Sequence, residues 1–448
     1  MLHDGAARRK KSMHRPLRVL LIAEAANPEW VSVPLVGWSH AQAIRTRVDA
    51  HLVTQVRNRD AIERAGLREG IDFTAIDSEA VAGRVHRLAT MLRGGDNKGW
   101  TSVTALDSIS YWWFERQLWR RFGAAIERGD FDLVHRLTPL SPTTPSWIAA
   151  RLRRRGVPFV LGPLNGGLPW PQQFDDARRR EKEWLSYVRG LYRLLPGYRA
   201  TRAAASAILC GSVATGDQVA DRWRDKCIYL PENGIDPARF GCAVEPFRGH
   251  PLRVAFVGRL VPYKGADILI EAAADLVRAG RVAVEIFGDG PERARLERMV
   301  AGFGVAGGVT FAGFVEHTAL QGRLCRAQVF GFPSVREFGG TVVLEAMALG
   351  LVPIVVDYGG PGELATHDTG IKVPLGSRAE IVRGFRTALE RIAADPYRLR
   401  DLSIRARARA LGQFSWAKKA EQVVEVYRWV LGERGSKPDF GCPLGCRH

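Results

Sequence analysis

The chain has 448 residues, 46% of them hydrophobic, with 47 Gly and 24 Pro spread along it and a formal net charge of +18. That length exceeds what one hydrophobic core usually supports, so it predicts two domains of ordinary globular composition and excludes a disordered or fibrous chain. No apolar run reaches the roughly 20 residues of a membrane-spanning helix, and the start, MLHDGAARRKKSMHRPL, is basic without the apolar stretch of a secretory signal. The expectation is a cytosolic protein.

Taken in order, residues 1–16 read as a mobile basic arm and Leu17–Ala23 as the first strand. In the turn that follows, Gly37 and Ser39 are candidates for an acceptor or phosphate contact, or else a simple turn and N-cap, with Trp38, Ser39 and His40 starting the helix. Short continuous apolar runs then recur at AHLVTQV near Ala50, DLVHR (Asp132–Arg136), VPFVLG (Val157–Gly162), SAILCG (Ser206–Gly211) and CIYLP (Cys227–Pro231). Separated by helical stretches, they predict a parallel, doubly wound sheet over 17–245. Two aromatic and basic segments lie among them. Tyr111–Phe122 (YWWFERQLWRRF) carries Trp112, Trp113, Phe114, Leu118 and Trp119, and Trp184–Arg202 carries Tyr187, Leu191, Tyr192 and Leu194. Such stripes pack into a core with Arg on the solvated face, or meet a lipid headgroup or acceptor surface; the two readings can coexist.

EPFRGH (Glu245–His250) reads as a linker. A second set of strands, LRVAFVG, VAVEIFG, GVTFAG, QVFGFP, LVPIVV and GIKVP, repeats the pattern over 251–412. A final amphipathic helix, about Trp416–Leu431 within 413–432, precedes a polar tail, 433–448, expected to be flexible. The six cysteines lack the density of a disulfide framework. Cys442, Cys446 and His448 share the tail CPLGCRH, an incomplete zinc set.

The densest chemistry lies in Pro333–Gly350, PSVREFGGTVVLEAMALG, where Glu337 and Glu345 bracket a Phe-Gly-Gly-Thr turn. Good helix formers follow the turn, and Gly350 with Pro353 ends the run. A helix N-terminus beside two glycines is an anion site, because free N–H groups and the positive dipole end point outward. Helical throughout, the segment would separate the two carboxylates by roughly 12 Å. They can accept hydrogen bonds from hydroxyls at either end of a phosphate-linked molecule, and a nucleotide sugar has that layout. Upstream, VAFVGRLVPYKG brings Gly258 and Arg259 to the carboxyl edge of a strand, and Lys264-Gly265 opens the run ADILIEAAADLVRAG. In an open α/β sheet ligands bind at that edge, and a forked Arg with a compact Lys suits a diphosphate.

These residues resemble the retaining glycosyltransferases of the GT-B fold, family four, whose signature is a Gly-Arg strand end, a Lys-Gly and a Glu-(seven residues)-Glu pair. Matching pieces are PENGID (Pro231–Asp236), FGDGPER (Phe287–Arg293), FAGFVEH (Phe311–His317) and GGPGE (Gly359–Glu363). The resemblance implies two facing Rossmann-like domains, an N-terminal acceptor side and a C-terminal donor side, with the last helix crossing back. It further implies that Arg259 and Lys264 bind the donor diphosphate, Glu337 contacts the donor sugar and Glu345 holds the ribose hydroxyls. The backbone of Phe338, Gly339, Gly340 and Thr341 would lie against sugar and phosphates, and Phe314 and Val315 near the base.

The first domain departs from the pattern. Leu164 or Asn165 falls where the family histidine often stands, and Leu137 replaces the second histidine of the DxVHxH pattern. His135 remains, although a lone His at a strand end is more often structural. Asn165 with Gly166 and Gly167 can instead offer neutral donors to the sugar. Glu363, after Gly359-Gly360, reads as a first-turn carboxylate facing its helix dipole.

The expected activity is transfer of a sugar, with retention, from a nucleotide-diphosphate sugar to a saccharide or lipid-linked saccharide in cell-envelope or exopolysaccharide synthesis. The only cofactor-like molecule expected is the donor itself. No Asp-x-Asp at a strand end calls for a metal, since the two cations can offset the diphosphate. The charge fits an anionic membrane surface or substrate, placing the protein at the inner face of the plasma membrane. Scattered basic residues and the lack of a binding module disfavour nucleic acid. A retaining phosphorylase, an epimerase or a non-catalytic binding subunit are the alternatives.

Overall fold

The computed structural model describes residues 15–78, 100–175, 197–241, 243, 244, 249, 251–395 and 397–441, with side chains described except at 100–109, His317, Thr318 and Arg398. Among them, thirteen strands form two parallel sheets. The first contains β1 (Arg18–Ala23), β2 (Asp49–Gln55), β3 (Phe73–Ile76), β4 (Leu133–Thr138), β5 (Phe159–Leu164), β6 (Ala207–Cys210) and β7 (Cys227–Tyr229), in the order β3-β2-β1-β4-β5-β6-β7. The second contains β8 (Leu252–Val257), β9 (Val282–Phe287), β10 (Val309–Gly313), β11 (Val329–Phe332), β12 (Val352–Val356) and β13 (Ile371–Val373), in the order β10-β9-β8-β11-β12-β13. β4, β5, β11 and β12 are buried at every position, as expected when helices cover both faces of a parallel sheet. Strand order reverses between β1 and β4 and between β8 and β11. Outside the carboxyl ends at such a point lies the crevice where open α/β sheets take ligands.

The chain then returns to its first half. Ser415 Oγ accepts the Lys418 N–H and caps the helix Trp416–Val430. Val423, Val426 and Tyr427 of that helix share one apolar cluster with Leu21, Leu52 and Leu209 of the first sheet. Polar contacts seat it as well. Lys419 Nζ donates to the Pro231 carbonyl. His135 Nε2 donates to the Gly162 carbonyl at 2.7 Å, and its Nδ1 receives the Tyr427 hydroxyl at 2.6 Å. His135 is therefore committed to holding the returning helix. Burial lowers its pKa to about 4.

Several expectations change on contact with the fold. The helix after β1 is Val33–Arg45, so it begins five residues before Trp38: Pro34 occupies its first turn. Gly37 lies inside that helix, where a Cβ would collide with the Ala25 carbonyl. The tail is anchored as far as it is described, because Lys437 Nζ donates to the Cys227 carbonyl at 3.2 Å and Phe440 packs on the same cluster as Tyr427. Cys210 and Cys227 are buried free thiols, whereas Cys325 is disulfide-bonded. In the helix Trp100–Arg128, Tyr111, Phe114 and Leu118 enter the core. Trp112 turns outward, 37% exposed, with the Arg116 guanidinium 5.7 Å from its ring centroid. The arm before Arg15, residues 245–248 and 250 of the linker, residues 184–196 of the second aromatic segment, and Cys442, Cys446 and His448 lie outside the described residues.

The His135 contacts make a pH-dependent prediction. An imidazole whose pKa drops from 6.5 to about 4 on folding contributes stability that is present above pH 6.5 and lost as the pH falls toward 4. Several buried carboxyls titrate nearby with the opposite sign, so the test is a difference. The loss of thermal stability in His135→Gln should be largest above pH 6.5 and shrink toward pH 4 by up to roughly 3 kcal/mol, as followed by circular dichroism. A loss independent of pH would contradict the assignment.

Candidate functional site

At the switch point of the second sheet, close backbone approaches bring the loops after β8, β11 and β12 together. The Gly258 N–H donates to Phe287 at 3.0 Å and holds the strand end in register. Gly265, at φ 76°, lies so close to the Pro333 carbonyl that a Cβ would collide with it. Cβ atoms at Gly359 and Gly360 would likewise collide with the carbonyls of Glu337 and Phe338. Gly360 N–H donates to the Glu337 carbonyl at 3.1 Å. Gly359 and Gly360 thus grip the start of the segment 337–340 before Gly340, at φ 66°, starts the helix Thr341–Leu349. Its first N–H groups lack partners within the helix and carry the positive end of its dipole.

Side chains complete the electrostatics. Lys264 Nζ forms an ion pair with the Glu337 carboxylate, both about one-fifth exposed (17% and 20%). Arg259 is exposed at the end of β8. Two cations, one neutralised by Glu337, thus follow β8, the strand beside the one that leads into this helix N-terminus, an arrangement that can take a diphosphate. Glu345 is half-buried in the second turn of the helix. Because only residues from Thr341 onward are helical, the 12 Å separation from Glu337 expected for a continuous helix does not apply. Phe314, 77% exposed, and half-buried Val315 follow β10. That edge lies two strands from β8, roughly 10 Å away.

Sequence reading passed over Arg336. It is 7% exposed, and its guanidinium lies 4.8 Å from the Trp170 ring centroid of the first half and 5.3 Å from that of Phe338. A buried cation stacked between two rings ties the loop to the facing half. Tyr358 OH adds a bond to the Pro169 carbonyl at 2.7 Å. Glu363 stands at the end of the helix Gly359–Leu364, so the first-turn reading is corrected. Its two oxygens accept the Val213 N–H at 3.0 and 3.1 Å, at the start of the helix Val213–Asp217 in the other half. Burial pushes its pKa up to about 7.

Facing the loop 337–340 from the first half are Asn165, after β5, and Glu232, after β7. Asn165 Nδ2 donates to Glu232 Oε1. Glu232 was legible only as part of the PENGID piece. It is 4% exposed, and burial first, then the Glu337 charge, raises its carboxyl to about 6. Lys419, its buried cationic neighbour, is lowered to about 7 by desolvation. The structure thus joins Lys264, Glu337, Gly339, Gly340 and Thr341 to Asn165. His135 and Gly37 serve the seat of the returning helix and the turn after β1.

Residues 243–408 match the family described as glycosyl transferases group 1. The GDP-mannose-dependent alpha-mannosyltransferase of Mycobacterium tuberculosis (strain CDC 1551 / Oshkosh) is 30% identical over 319 residues, 69% of this chain and 76% of that protein. The alpha-D-kanosaminyltransferase of Streptomyces kanamyceticus is 32% identical over 179 residues, 40% of this chain and 45% of that one. The D-inositol 3-phosphate glycosyltransferase of Nocardia farcinica (strain IFM 10152) is 36% identical over 207 residues, 43% of this chain and 44% of that one. The matches to these two thus span less than half the length of either relative. Among solved structures, Anabaena HepE in complex with UDP superposes with a TM-score of 0.60 at 16% identity, covering 92% of this chain and 100% of that one, which shows the fold. The chain belongs to the glycosyl transferases group 1 family, and its two Rossmann-like sheets with a returning C-terminal helix form the GT-B fold.

Proposed function

We propose that this protein moves a sugar from a nucleotide-diphosphate sugar to a saccharide or lipid-linked saccharide acceptor, with retention of anomeric configuration and without a required metal. One observation carries the reading: Arg259, Lys264 and the glycine-backed N-terminus of the helix Thr341–Leu349 converge at one switch point. The activities of the relatives support it, as does the UDP held by a neighbour of the same fold. In this account residues 251–412 take the donor and 17–245 the acceptor.

The chemistry follows from the charges. The bond between the anomeric carbon and the diphosphate oxygen breaks as positive charge grows on the sugar ring. The acceptor hydroxyl enters on the same face, forms the new bond to that carbon and passes its proton to the departing phosphate oxygen. Arg259, Lys264 and the helix N-terminus offset the negative charge of the leaving group. On donor binding, Lys264 turns from Glu337 to phosphate, which frees the Glu337 carboxylate for the sugar hydroxyls. Glu345 holds the ribose hydroxyls, with Phe314 and Val315 toward the base.

An anionic membrane surface is the partner we assign to the first half, on the cytoplasmic side. Among the described residues no helix is long and apolar enough to cross a membrane. A groove of about 940 Å³ is lined by Trp119, Ile126, Glu127, Arg151, Arg154 and Arg155. The Arg151 and Arg155 guanidinium groups lie 5.4 and 4.9 Å from the Trp119 ring centroid. Aromatic and basic groups so combined suit headgroup phosphates.

Two measurements test these readings. UDP or GDP at a hundred times its dissociation constant should stabilise the native protein by about 2.7 kcal/mol, and Lys264→Ala should remove the response while leaving the unliganded melting point nearly unchanged. An unaltered response in that variant would displace the donor site. Wild-type protein should co-sediment with phosphatidylglycerol vesicles, and Arg151→Glu with Arg154→Glu should weaken this roughly tenfold or more, at about 1 kcal/mol per basic residue and with both charges reversed. Equal sedimentation of the two would exclude this groove as the contact.

A further inference from the structure

Glu232 is the best-buried carboxylate at the meeting of the two halves, and the reaction as written above gives it nothing to do. Its Oε1 accepts from Asn165 Nδ2 and, at 3.1 Å, from Asn233 Nδ2. Its Oε2 is buried without a partner and faces Gly211, where a Cβ would stand only 2.6 Å away. Gly339 of the donor loop closes the opposite side, since a Cβ there would collide with Glu232 Oε1 and Asn233 Nδ2. The carboxylate is therefore wedged between the end of β6 and the donor loop, where glycine on both sides leaves it room. A merely space-filling residue needs no charge here, and an apolar side chain would avoid the desolvation.

What Glu232 holds identifies its work. The Asn165 amide is fixed at both ends: Oδ1 accepts from Ser212 Oγ at 3.4 Å, and Nδ2 gives one N–H to Glu232. A clamped amide cannot flip, and its second N–H remains. Asn165 is half-buried, so that N–H can meet a ligand in the crevice. We propose that Glu232 is a positioning residue for sugar transfer: it fixes the Asn165 amide so that the second N–H meets a hydroxyl of the transferring sugar, and its charge beside Gly339 stabilises positive charge growing on that sugar. The proposal rests on the reading of 337–341 as the donor loop. Below the raised pKa of about 6 the carboxyl is neutral, so both contributions weaken as the pH falls.

The test compares wild type, Glu232→Gln, Asn165→Ala and the double variant, reading UDP release from UDP-glucose and GDP release from GDP-mannose, with UDP and GDP affinity by calorimetry. Glu232→Gln should lower kcat about 100-fold while nucleotide affinity stays within about threefold. Wild type should show an acidic limb near pH 6, and Glu232→Gln should abolish it. Asn165→Ala should cost a similar factor, and the double variant should be no slower than the worse single one, because the two side chains act as a unit. Should Glu232→Gln fail to fold, Asn165→Asp probes the same contact: two facing carboxylates share one proton, so its activity should rise as the pH falls. Wild-type kcat and pH profile in Glu232→Gln, losses that multiply in the double variant, affinity that falls in step with kcat, or no acid-side recovery in Asn165→Asp would each overturn the proposal. Absence of UDP and GDP binding by wild type would instead sink the donor-site reading, and this proposal with it.

Discussion

Backbone packed directly on backbone at the ends of β8, β11 and β12 is the constraint on which the rest of this structure depends. Gly265 on Pro333, Gly359 on Glu337 and Gly360 on Phe338 leave no room for a side chain. They hold a five-residue loop still without using any of its side chains. That frees Glu337 to face Lys264 and leaves the N–H groups at the head of the helix Thr341–Leu349 directed at the crevice. A site for a diphosphate needs donors fixed before the ligand arrives, and fixed backbone supplies them at little cost in side-chain entropy.

The facing half is held by different means. Arg336 between Trp170 and Phe338, Glu363 on the Val213 N–H, and Tyr358 on Pro169 cross from one half to the other. All three originate next to the loop 337–341, so the approach of the halves and the shape of the loop are mechanically one problem. The returning helix adds a second layer through Lys419 and Tyr427. Buried charges recur throughout this layer. Glu232 and Glu363 are raised while Lys419 and His135 are lowered, all mainly by desolvation. Burial costs of this kind make the interface sensitive to anything that changes its hydration, including a ligand that fills the crevice.

The second half was legible because its signals are local. Strand, glycine, cation and helix follow one another within a dozen residues, and a six-stranded doubly wound sheet repeats that unit. Twelve of the thirteen strands could be read from apolar runs. β3 could not, since Phe73–Ile76 is four residues at a sheet edge with only its ends buried. The contacts between the two halves were far less legible. Glu232 meets Asn165 across 67 positions, Lys419 meets Pro231 across 188 and Glu363 meets Val213 across 150. No periodicity links such pairs. Glu363 looked like a cap for its own helix because a carboxylate near a helix start usually is one; here it caps a helix in the other half. Gly37 looked like a turn because the proline that starts its helix lies three residues earlier.

Whether the loop 337–341 and the cations after β8 form one diphosphate site can be seen in a crystal structure of the chain soaked with UDP, and separately with GDP. Diphosphate oxygens should then lie within hydrogen-bond reach of Arg259, Lys264 and the N–H groups at Gly340 and Thr341, with the Lys264–Glu337 ion pair opened. A nucleotide bound elsewhere, or bound here with that pair intact and the helix N-terminus untouched, would contradict it.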